Sequence, residues 1–512
     1  MSDPNVKAVR VAVILPPNDH REPSLFRLLE ALSSDPRFAL VAFETANTGA
    51  KPLTRLLDSY LAIEARFATP RAQIATPAFD KIMPSLLPIA QLKPLDGAAP
   101  NIDVILDMAE LSEADVDAFS RLAAHGIWRL STTCDAAGIA EAFSGASTSS
   151  ITLKARKDGA WQMLDQATYD VKFLASRNRA YLRAKAVHVA LRRLANLNAP
   201  PATLDIAPVA ADPHPFALFP YAGRVIKEAT HRLSDKFRKR LGGRPGRFDL
   251  RICKGTPLDF DLASGIAYEA PKGHFWADPF IHTSGAETHV FYEDFNYARG
   301  LGHLSVARLD GDTLTVLGDT HRPPHHLSYP HVFDHDGEVY MLLESGQIAR
   351  QELWRATNYP LKWTLGKSFF EGVRCADTTL FKHGGAWWLF TNICRDDFND
   401  FCSELYAFRV DGPALTKIEP HRLNPIVLGA DMARGAGRVF EQDGKLYRPS
   451  QDNTHGTYGY GLNIMEIEAL SLDTYSERRV RHITPDDAPG IIGCHHIDRV
   501  DEGRVIVDVL YP

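Results

Sequence analysis

Cysteine and long apolar runs are scarce in this sequence of 512 residues. The six cysteines lie far apart and form no Cys-x-x-Cys pair, a pattern that favours reduced thiols over a disulfide framework. No apolar run approaches the roughly 20 residues that span a bilayer. The polar segment Met1–Arg10 lacks the basic and apolar regions of a secretory signal. We therefore expect a soluble protein located in the cytoplasm.

A strong net charge is also absent. The formal net charge is −6, with 23% charged and 45% hydrophobic residues. This balance gives no reason to expect a nucleic-acid partner, and it is ordinary for a globular protein with a sizeable core. Because the chain is longer than one typical domain, we expect two or three domains.

The N-terminal part alternates between strand and helix patterns. Apolar runs at Val9–Leu15, Phe38–Phe43 and Asp103–Met108 predict buried strands. Helical spacing predicts helices over Pro23–Leu32, Leu53–Phe67 and Arg177–Leu194. Such alternation is typical of a parallel, helix-covered sheet, so residues 1–198 are predicted to form an α/β Rossmann-like domain.

Residues 199–247 combine a proline-rich linker with a basic amphipathic helix. The helix is predicted over Arg224–Leu241, with an apolar stripe at Val225, Ala229, Leu233, Phe237 and Leu241. One interpretation is a connector packed on the following domain. The other is peripheral contact of residues 224–241 with an anionic membrane at its inner face.

Five similar segments repeat through residues 248–512. Each has a short apolar strand, a turn with glycine and a second apolar strand. The first strands are anchored at Phe280, Val332, Leu380, Val439 and about Ile497, so the steps are 52, 48, 59 and 58 residues. Such steps suit a four-stranded blade and predict an all-β five-bladed propeller. A β-sandwich with accidental similarity is the alternative.

Polar residues stand before or on the inner strand of each predicted blade, or on the strand that follows it. Inner strands line the central channel of a propeller, so their polar side chains are expected to meet at its mouth. From blade one to blade five, the candidates are Trp276, Asp278, His331, Glu344, Asp377, Arg434, Arg438, Gln451, Asp452, His495 and His496.

Asp278 and Asp377 occupy equivalent places in blades one and three. An acid before an apolar strand has no packing role there. Two carboxyls in one pocket would split their pKa values and permit acid/base chemistry. The alternative is that each aspartate caps a turn.

Residues 277–279 (Ala-Asp-Pro) and 376–381 (Ala-Asp-Thr-Thr-Leu-Phe) resemble five-bladed propeller glycosidases of the arabinanase/β-xylosidase type, related to invertases and levansucrases. The resemblance covers about half of the chain. It implies that Asp278 is a general base, or a nucleophile as in retaining relatives. It also implies that Asp377 tunes the pKa of the general acid and orients it.

A closer resemblance is to the propeller domain of plant glucosamine inositolphosphorylceramide transferases and their bacterial relatives. The stretches that carry it are His274–Pro279, Phe291–Phe295, Arg434–Arg438, Leu446–Asp452 and Tyr458–Gly461. This resemblance implies glycosyl transfer.

The sequence departs from the glycosidase pattern in blade four. The resemblance implies a glutamate acid there, but the chain has Arg434-Gly-Ala-Gly-Arg438, and Glu441 lies in a turn and is expected to point outward. Glu344 is the candidate replacement. Hydrolysis of an ordinary glycoside needs a proton for its leaving group, whereas a phosphate leaves as a stabilised anion beside arginine. Structural pairing of Arg434 and Arg438 with Asp452 or Asp431 is the alternative.

Three functions stay open. The first is glycosyl transfer from a nucleotide-sugar or sugar-phosphate to a saccharide or lipid-linked acceptor, with Trp276, His331, Gln451, Asp452 and the arginines among the binding residues. The second is inverting hydrolysis with Asp278 as base and Glu344 as acid. The third is a carbohydrate-binding scaffold without catalysis.

The N-terminal domain resembles a formyltransferase-type Rossmann domain, through Val9–Leu15, Asp103–Asp107 and Gly126–Leu130. The Asn, His and Asp that such enzymes need are not visible, and no Gly-x-Gly-x-x-Gly follows the first strand. We expect a catalytically degenerate scaffold that keeps a nucleotide or sugar cleft at most.

Neither a metal nor a cofactor is expected. In the pairs His325-His326 and His495-His496, adjacent strand residues point to opposite faces and cannot chelate one ion alone. A single histidine, His495 or His496, is expected to bond a sugar hydroxyl. The aromatic candidates for stacking on a sugar ring are Trp276, Tyr292, Tyr329 and Tyr458.

Overall fold

The computed structural model describes residues 7–17, 22–46, 53–68, 95, 101–198, 217–240 and 246–512. The chain divides into two compact units. Unit 1 contains Met1–Glu228 together with Asp396–Phe398, and unit 2 contains Ala229–Arg395 and Asn399–Pro512.

Unit 1 contains a six-stranded sheet in the order β2-β1-β3-β4-β5-β6. The strands are β1 (Val9–Leu15), β2 (Phe38–Thr45), β3 (Val104–Asp107), β4 (Ile127–Leu130), β5 (Thr148–Lys157) and β6 (Ala160–Asp170). Strands β1 to β4 pair in parallel, and β1, β3 and β4 are largely buried, as their apolar runs predict.

The predicted parallel pairing is confirmed for β1 to β4, whereas β5 and β6 pair antiparallel. Only Asp158 and Gly159 separate these two strands, and both have positive φ values of 53° and 83°. A two-residue Asp-Gly turn of this kind joins antiparallel neighbours with the correct twist. The sequence contains this hairpin signal, and it outweighs the alternation of strands and helices upstream.

Within the described residues, all helices longer than one turn lie before residue 241. They are α1 (Pro23–Ser34), α2 (Arg55–Ala68), α3 (Glu113–Ser120), α4 (Ile139–Ser144), α5 (Ala175–Leu194) and α6 (Leu218–Arg240). Across the described residues, none of these helices is both long and apolar enough to cross a membrane.

Helix α6 begins earlier than predicted, and its apolar residues divide between two faces. Tyr221 is buried and Val225 packs beside it in a cluster with Leu57 and Phe143. Leu233 and Phe237, which were expected on the same stripe as Val225, are exposed. Leu241 lies outside the described residues. The extra turn at the start of the helix supplies the packed face, so the predicted single stripe is wrong.

Unit 2 contains the last part of α6 and five antiparallel sheets, which confirm the five-bladed propeller. Its first strands are β7 (Arg247–Lys254) and β8 (Ile266–Tyr268). Blade one contains β9 (His274–Ser284), β10 (Glu287–Asn296), β11 (Leu301–Asp310) and β12 (Thr313–His321). Blade two contains β13 (Ser328–His335), β14 (Glu338–Glu344), β15 (Gln351–Asn358) and β16 (Lys362–Phe369).

The remaining blades follow the same plan. Blade three contains β17 (Cys375–His383), β18 (Ala386–Ile393), β19 (Glu404–Val410), β20 (Ile418–Pro420) and β21 (Val427–Leu428). Blade four contains β22 (Phe440–Gln442), β23 (Lys445–Asp452), β24 (Gly461–Leu470) and β25 (Tyr475–Ile483). Blade five contains β26 (Ile497–Asp501) and β27 (Arg504–Tyr511), and β27 pairs with β7.

Pairing of β7 with β27 places the first and the last strand of unit 2 in one sheet. This closes the ring, so that the first and last blades are joined through the backbone. Strand β9 contacts both β13 and β26, and β13 contacts β17, so the first strands of the blades meet at the centre. The polar ends of these strands therefore converge, as the repeat predicts.

Candidate active site

Three of the central strands carry the same backbone irregularity. Asp278 in β9, Tyr329 in β13 and Asp377 in β17 have φ values of 51°, 52° and 49°. At each place the pairing with the next strand is interrupted by a bulge. A left-handed backbone costs a residue with a side chain about 1 kcal/mol or more, although aspartate tolerates it better than tyrosine. Bulges change the direction in which side chains point. These three bulges lie at equivalent positions in the first strands of blades one, two and three.

A second layer of polar residues lies on the neighbouring strands. Residues 277, 328 and 376, just before the bulges, pair across the sheet with Glu293, Glu344 and Asn392. Each of these lies 15 residues after the left-handed residue of its blade. Glu293 was missed as a site residue, although this constant spacing would have identified it as the blade-one counterpart of Glu344.

Arg434 holds one half of the site together. Its Nε lies 2.6 Å from Asp377 Oδ2, and its Nη2 lies 3.6 Å from Glu344 Oε2. Gln451 donates to the same Asp377 oxygen at 3.2 Å, and the Asp377 N–H donates to Glu344 at 3.3 Å. The structure thus brings together Asp377, Glu344, Arg434 and Gln451, and Arg434 pairs with Asp377 instead of Asp452 or Asp431.

Asp278 belongs to the other half of the site. Its Oδ1 lies 3.5 Å from His495 Nε2 and 3.6 Å from His496 Nδ1, and its Oδ2 accepts the Tyr329 N–H. His495 Nδ1 lies 2.8 Å from Asp508 Oδ2. Asp508 also accepts the N–H groups of Asp278, His495 and His496. Asp508 was missed, although an acid inside the apolar run Val505–Leu510 was its signal.

Burial governs the protonation of these carboxyls. It raises the pKa of Asp278 to about 7, helped by the charges of Asp377 and Asp508 and opposed by His495. Burial also raises the pKa of Asp377 to about 7 against the effect of Arg434, and it raises the pKa values of Glu344 and Glu293. A carboxyl with a pKa near neutrality can both accept and return a proton.

The two histidines behave in opposite ways. Burial alone would lower the pKa of His495, but the Asp508 carboxylate raises it above its usual value. Burial lowers the pKa of His496 to about 3, and its ring lies between Phe280 and Tyr329. Of the two histidines, His495 therefore holds its proton more strongly than His496.

Arg438 lies apart from Arg434. It contacts Asp498 at 3.3 Å and His331 Nε2 at 3.2 Å, and it donates to the carbonyls of Ile281 and Val332. These residues follow the bulges along the central strands. The structure places Arg438 and His331 with Asp498, farther along the channel than the carboxyls.

The remaining residues predicted from the sequence form their hydrogen bonds and ring contacts with groups other than the five site carboxyls. Trp276 and Tyr292 pack in the hydrophobic core, and the Trp276 indole donates to Asp294. Asp452 accepts from Thr454 and lies 3.1 Å from His482. Of the predicted stacking residues, Tyr458 is the exposed one, and its ring lies over the Arg434 guanidinium at 5.1 Å.

Glycines in blade four allow the backbone to approach the site. A Cβ on Gly435 would lie 3.1 Å from Asp377 Cβ, and one on Gly437 would lie 2.0 Å from the Ile497 carbonyl oxygen. Gly437 also has a φ of 136°. Glu441 is exposed and contacts His383, as expected for the turn that follows. Where the glycosidase resemblance implies an acid, blade four therefore contributes Arg434 and backbone that packs closely against Asp377 and Ile497.

Asp278, His495 and Asp508 each offer a ligand atom within 4.8 Å of the others. Carboxylates and an imidazole are suitable metal ligands. The absence of a metal stays a prediction.

Comparison with known families supports the resemblance inferred from the sequence. Residues 263–491 match the family described as glucosamine inositolphosphorylceramide transferase 1, N-terminal. A protein of that name from Oryza sativa subsp. indica is 36% identical over 211 residues, which are 40% of this chain and 28% of the relative. The Arabidopsis thaliana protein is 35% identical over 215 residues, which are 40% of this chain and 27% of the relative. The chain thus spans under a third of the length of these relatives.

Solved structures with some likeness include two glycoside hydrolases. A family 117 enzyme of Zobellia galactanivorans is 13% identical, with a TM-score of 0.34 over 52% of this chain and 90% of that one. A family 62 α-L-arabinofuranosidase domain of Coprinopsis cinerea is 10% identical, with a TM-score of 0.36 over 51% and 97%. The five-bladed architecture rests on the strand order described above.

Proposed function

We propose that the propeller transfers a glycosyl group from a donor activated by phosphate or a nucleotide to a hydroxyl acceptor. The observation that carries this proposal is Arg434, which lies between Asp377 and Glu344 in a buried site. Arginine stabilises a leaving phosphate and cannot protonate a sugar alkoxide. The names of the relatives, which are transferases, support the same reaction class.

Asp278 is the proposed base. Its carboxylate takes the proton of the acceptor hydroxyl while that oxygen forms a bond to the anomeric carbon. The bond from that carbon to the donor phosphate breaks, and the phosphate or nucleotide leaves with the electron pair. A pKa of about 7 suits a group that is ionised for half of the molecules at neutral pH. Asp377 is proposed to stabilise positive charge on the sugar ring.

An amino sugar is the proposed transferred group. The site contains five carboxyls, from Asp278, Glu293, Glu344, Asp377 and Asp508, against two basic side chains whose pKa values are raised, Arg434 and His495. Glu293 Oε1 is buried and forms no hydrogen bond, although His326 Nε2 lies 3.6 Å from it. An ammonium group would add positive charge to this acidic site. The relatives' names contain glucosamine and inositolphosphorylceramide, which suggests a glycolipid product.

Hydrolysis is the second candidate, and the state of Glu344 favours it. Burial raises the pKa of this carboxyl, so Glu344 could protonate a leaving alkoxide while Asp278 activates water. Transfer and hydrolysis differ in their substrates, and this difference provides the test.

The test combines a nucleotide-activated glucosamine with inositolphosphorylceramide, and mass spectrometry detects the glycolipid. Transfer predicts a product that disappears in Asp278→Asn. Release of sugar from an aryl glycoside, without use of any nucleotide-sugar, would establish hydrolysis instead. If Asp278→Asn and Asp377→Asn change neither activity nor sugar affinity, the propeller is a binding scaffold.

We also propose that unit 1 has the Rossmann-like, formyltransferase-type fold suggested by the sequence. The order β2-β1-β3-β4 of its parallel strands supports this. A structure comparison of unit 1 alone with formyltransferases would test it, and a different order of helices around the sheet would contradict it.

A further inference from the structure

Helix α6 carries an apolar face that has no partner in the described part of the chain. Phe219, Ile226, Leu233 and Phe237 are 76%, 63%, 56% and 54% exposed. Their spacing of 7, 7 and 4 residues keeps them within about 40° of one another on a helix of about 3.6 residues per turn. We call these four residues the apolar stripe.

The apolar stripe is separate from the face that anchors the helix. Tyr221 is fully buried and stacks on Phe143 at 4.3 Å, and its hydroxyl accepts the Ala175 N–H. Val225 packs in the same cluster. Since Tyr221 and Val225 already supply the packing of α6, the apolar stripe is not needed for the core of unit 1.

Charge is distributed around the stripe in a definite pattern. The helix sequence contains seven basic residues and two acidic ones, in a chain whose net charge is −6. The basic residues are Arg224, Lys227, Arg232, Lys236, Arg238, Lys239 and Arg240. By helical spacing, the basic positions lie on both sides of the stripe, at about 40–160° from its centre, whereas the acidic positions 228 and 235 lie at about 160–180° from it.

We propose that α6 binds the surface of an anionic lipid membrane, with the apolar stripe inserted at the level of the headgroups. A narrow stripe of large apolar residues between lysines and arginines is the pattern of a helix that lies in the membrane plane. The flanking positive charge complements anionic lipid. The proposal does not depend on glycosyl transfer.

The experiment is co-sedimentation of the full chain with vesicles of phosphatidylcholine alone or with added phosphatidylglycerol. Binding is expected only to the anionic vesicles, and salt should weaken it because ions screen the attraction. Leu233→Ser with Phe237→Ser should reduce the bound fraction by about tenfold or more, because both insertion contacts are lost.

The matched control is Val316→Ser with Leu365→Ser, which removes two apolar residues of the propeller with comparable exposure. This pair should bind vesicles like the unchanged protein. Equal melting temperatures of all three proteins would exclude unfolding as the cause. Absence of binding to anionic vesicles, or binding that survives the stripe variant, overturns the proposal. A dimer in light scattering that the stripe variant abolishes, without vesicle binding, would assign the stripe to a second copy instead.

Discussion

Asp278 and Asp377 combine a left-handed backbone, burial and a pKa near 7. Each of these features costs stability by itself, since strained backbone and buried carboxyls are both unfavourable. Arg434 offsets part of the cost at Asp377, and His495 does so at Asp278. Tyr329 has the same backbone in blade two, so the proposed acid/base roles rest on the two buried carboxyls and not on the bulge.

Replacement of Asp278 by asparagine tests its role as base. We expect the rate of transfer to fall by about 10²–10⁴-fold, because the amide cannot take a proton. Initial rates measured with saturating donor and acceptor provide the check. Asp336→Asn, at an exposed turn of blade two, is the control and should leave the rate unchanged. A rate for Asp278→Asn within about twofold of the original would contradict the role.

Arg434→Lys tests the reaction class. Lysine keeps the charge but loses the forked contact with Asp377 and Glu344. If Arg434 stabilises a leaving phosphate, the rate with a nucleotide-sugar should fall by about 10²-fold, and any cleavage of an aryl glycoside should fall much less. Equal losses with both substrates would show that Arg434 acts only by positioning Asp377.

Glu293→Gln tests the proposed amine contact. The amide has nearly the same shape but no charge, so the KM for an amino-sugar donor should rise while kcat changes less. The corresponding donor with a hydroxyl in place of the amine serves as the comparison and should show no such rise. An equal change for both donors would assign Glu293 to the fold alone.

The pKa values of Asp278 and Asp377 also predict how stability depends on pH. Both are raised from an unfolded value of about 4 to about 7. The folded state therefore binds more protons between these values, and stability must fall as pH rises from about 4 to about 7. Asparagine resembles the neutral acid. Relative to the original protein, Asp278→Asn should accordingly gain stability as pH rises from about 4 to about 7, as measured by urea unfolding; a constant difference would contradict the raised pKa.

At the scale of elements, the site depends on how closely β22 and the segment before it approach the other blades. Tyr329 links blade two to blade four, since its hydroxyl accepts the Gly437 N–H at 3.0 Å and contacts Thr379 in blade three. Gly437 also lies beside Ile497 of blade five. Gly437 of blade four therefore contacts blades two and five directly, and it is linked to blade three through Tyr329.

Gly437→Ala should disrupt this junction. A Cβ there would lie 2.0 Å from the Ile497 carbonyl oxygen, at a φ that alanine avoids. We expect a loss of about 1–3 kcal/mol in the free energy of unfolding, or more if the strands cannot separate. Gly444→Ala is the control, because its φ is also positive but nothing lies within 4 Å of the added Cβ. If Gly437→Ala loses no more unfolding free energy than Gly444→Ala, the backbone at this junction can move to make room for the Cβ.

At the scale of the whole molecule, the repeat in the sequence was sufficient to predict five blades and the residues at their central ends. Apolar alternation specifies strands locally, and equal spacing places equivalent residues at one level. The same reasoning predicted β1 to β3 and the helices between them. It does not predict the β5–β6 hairpin, because the alternation of strands and helices continues past the short turn signal at Asp158-Gly159.

The propeller and its two aspartates, then, follow from the sequence alone, because periodicity and turn chemistry act over short distances. Pairing between blades does not follow from it. Only the tertiary structure decides that Arg434 joins Asp377 while Arg438, four residues later, joins Asp498. It also decides that Glu293 and Asp508 complete the carboxyl site and that α6 leaves its apolar stripe exposed. Such contacts depend on closure of the ring and on burial, which involve residues far apart in the chain.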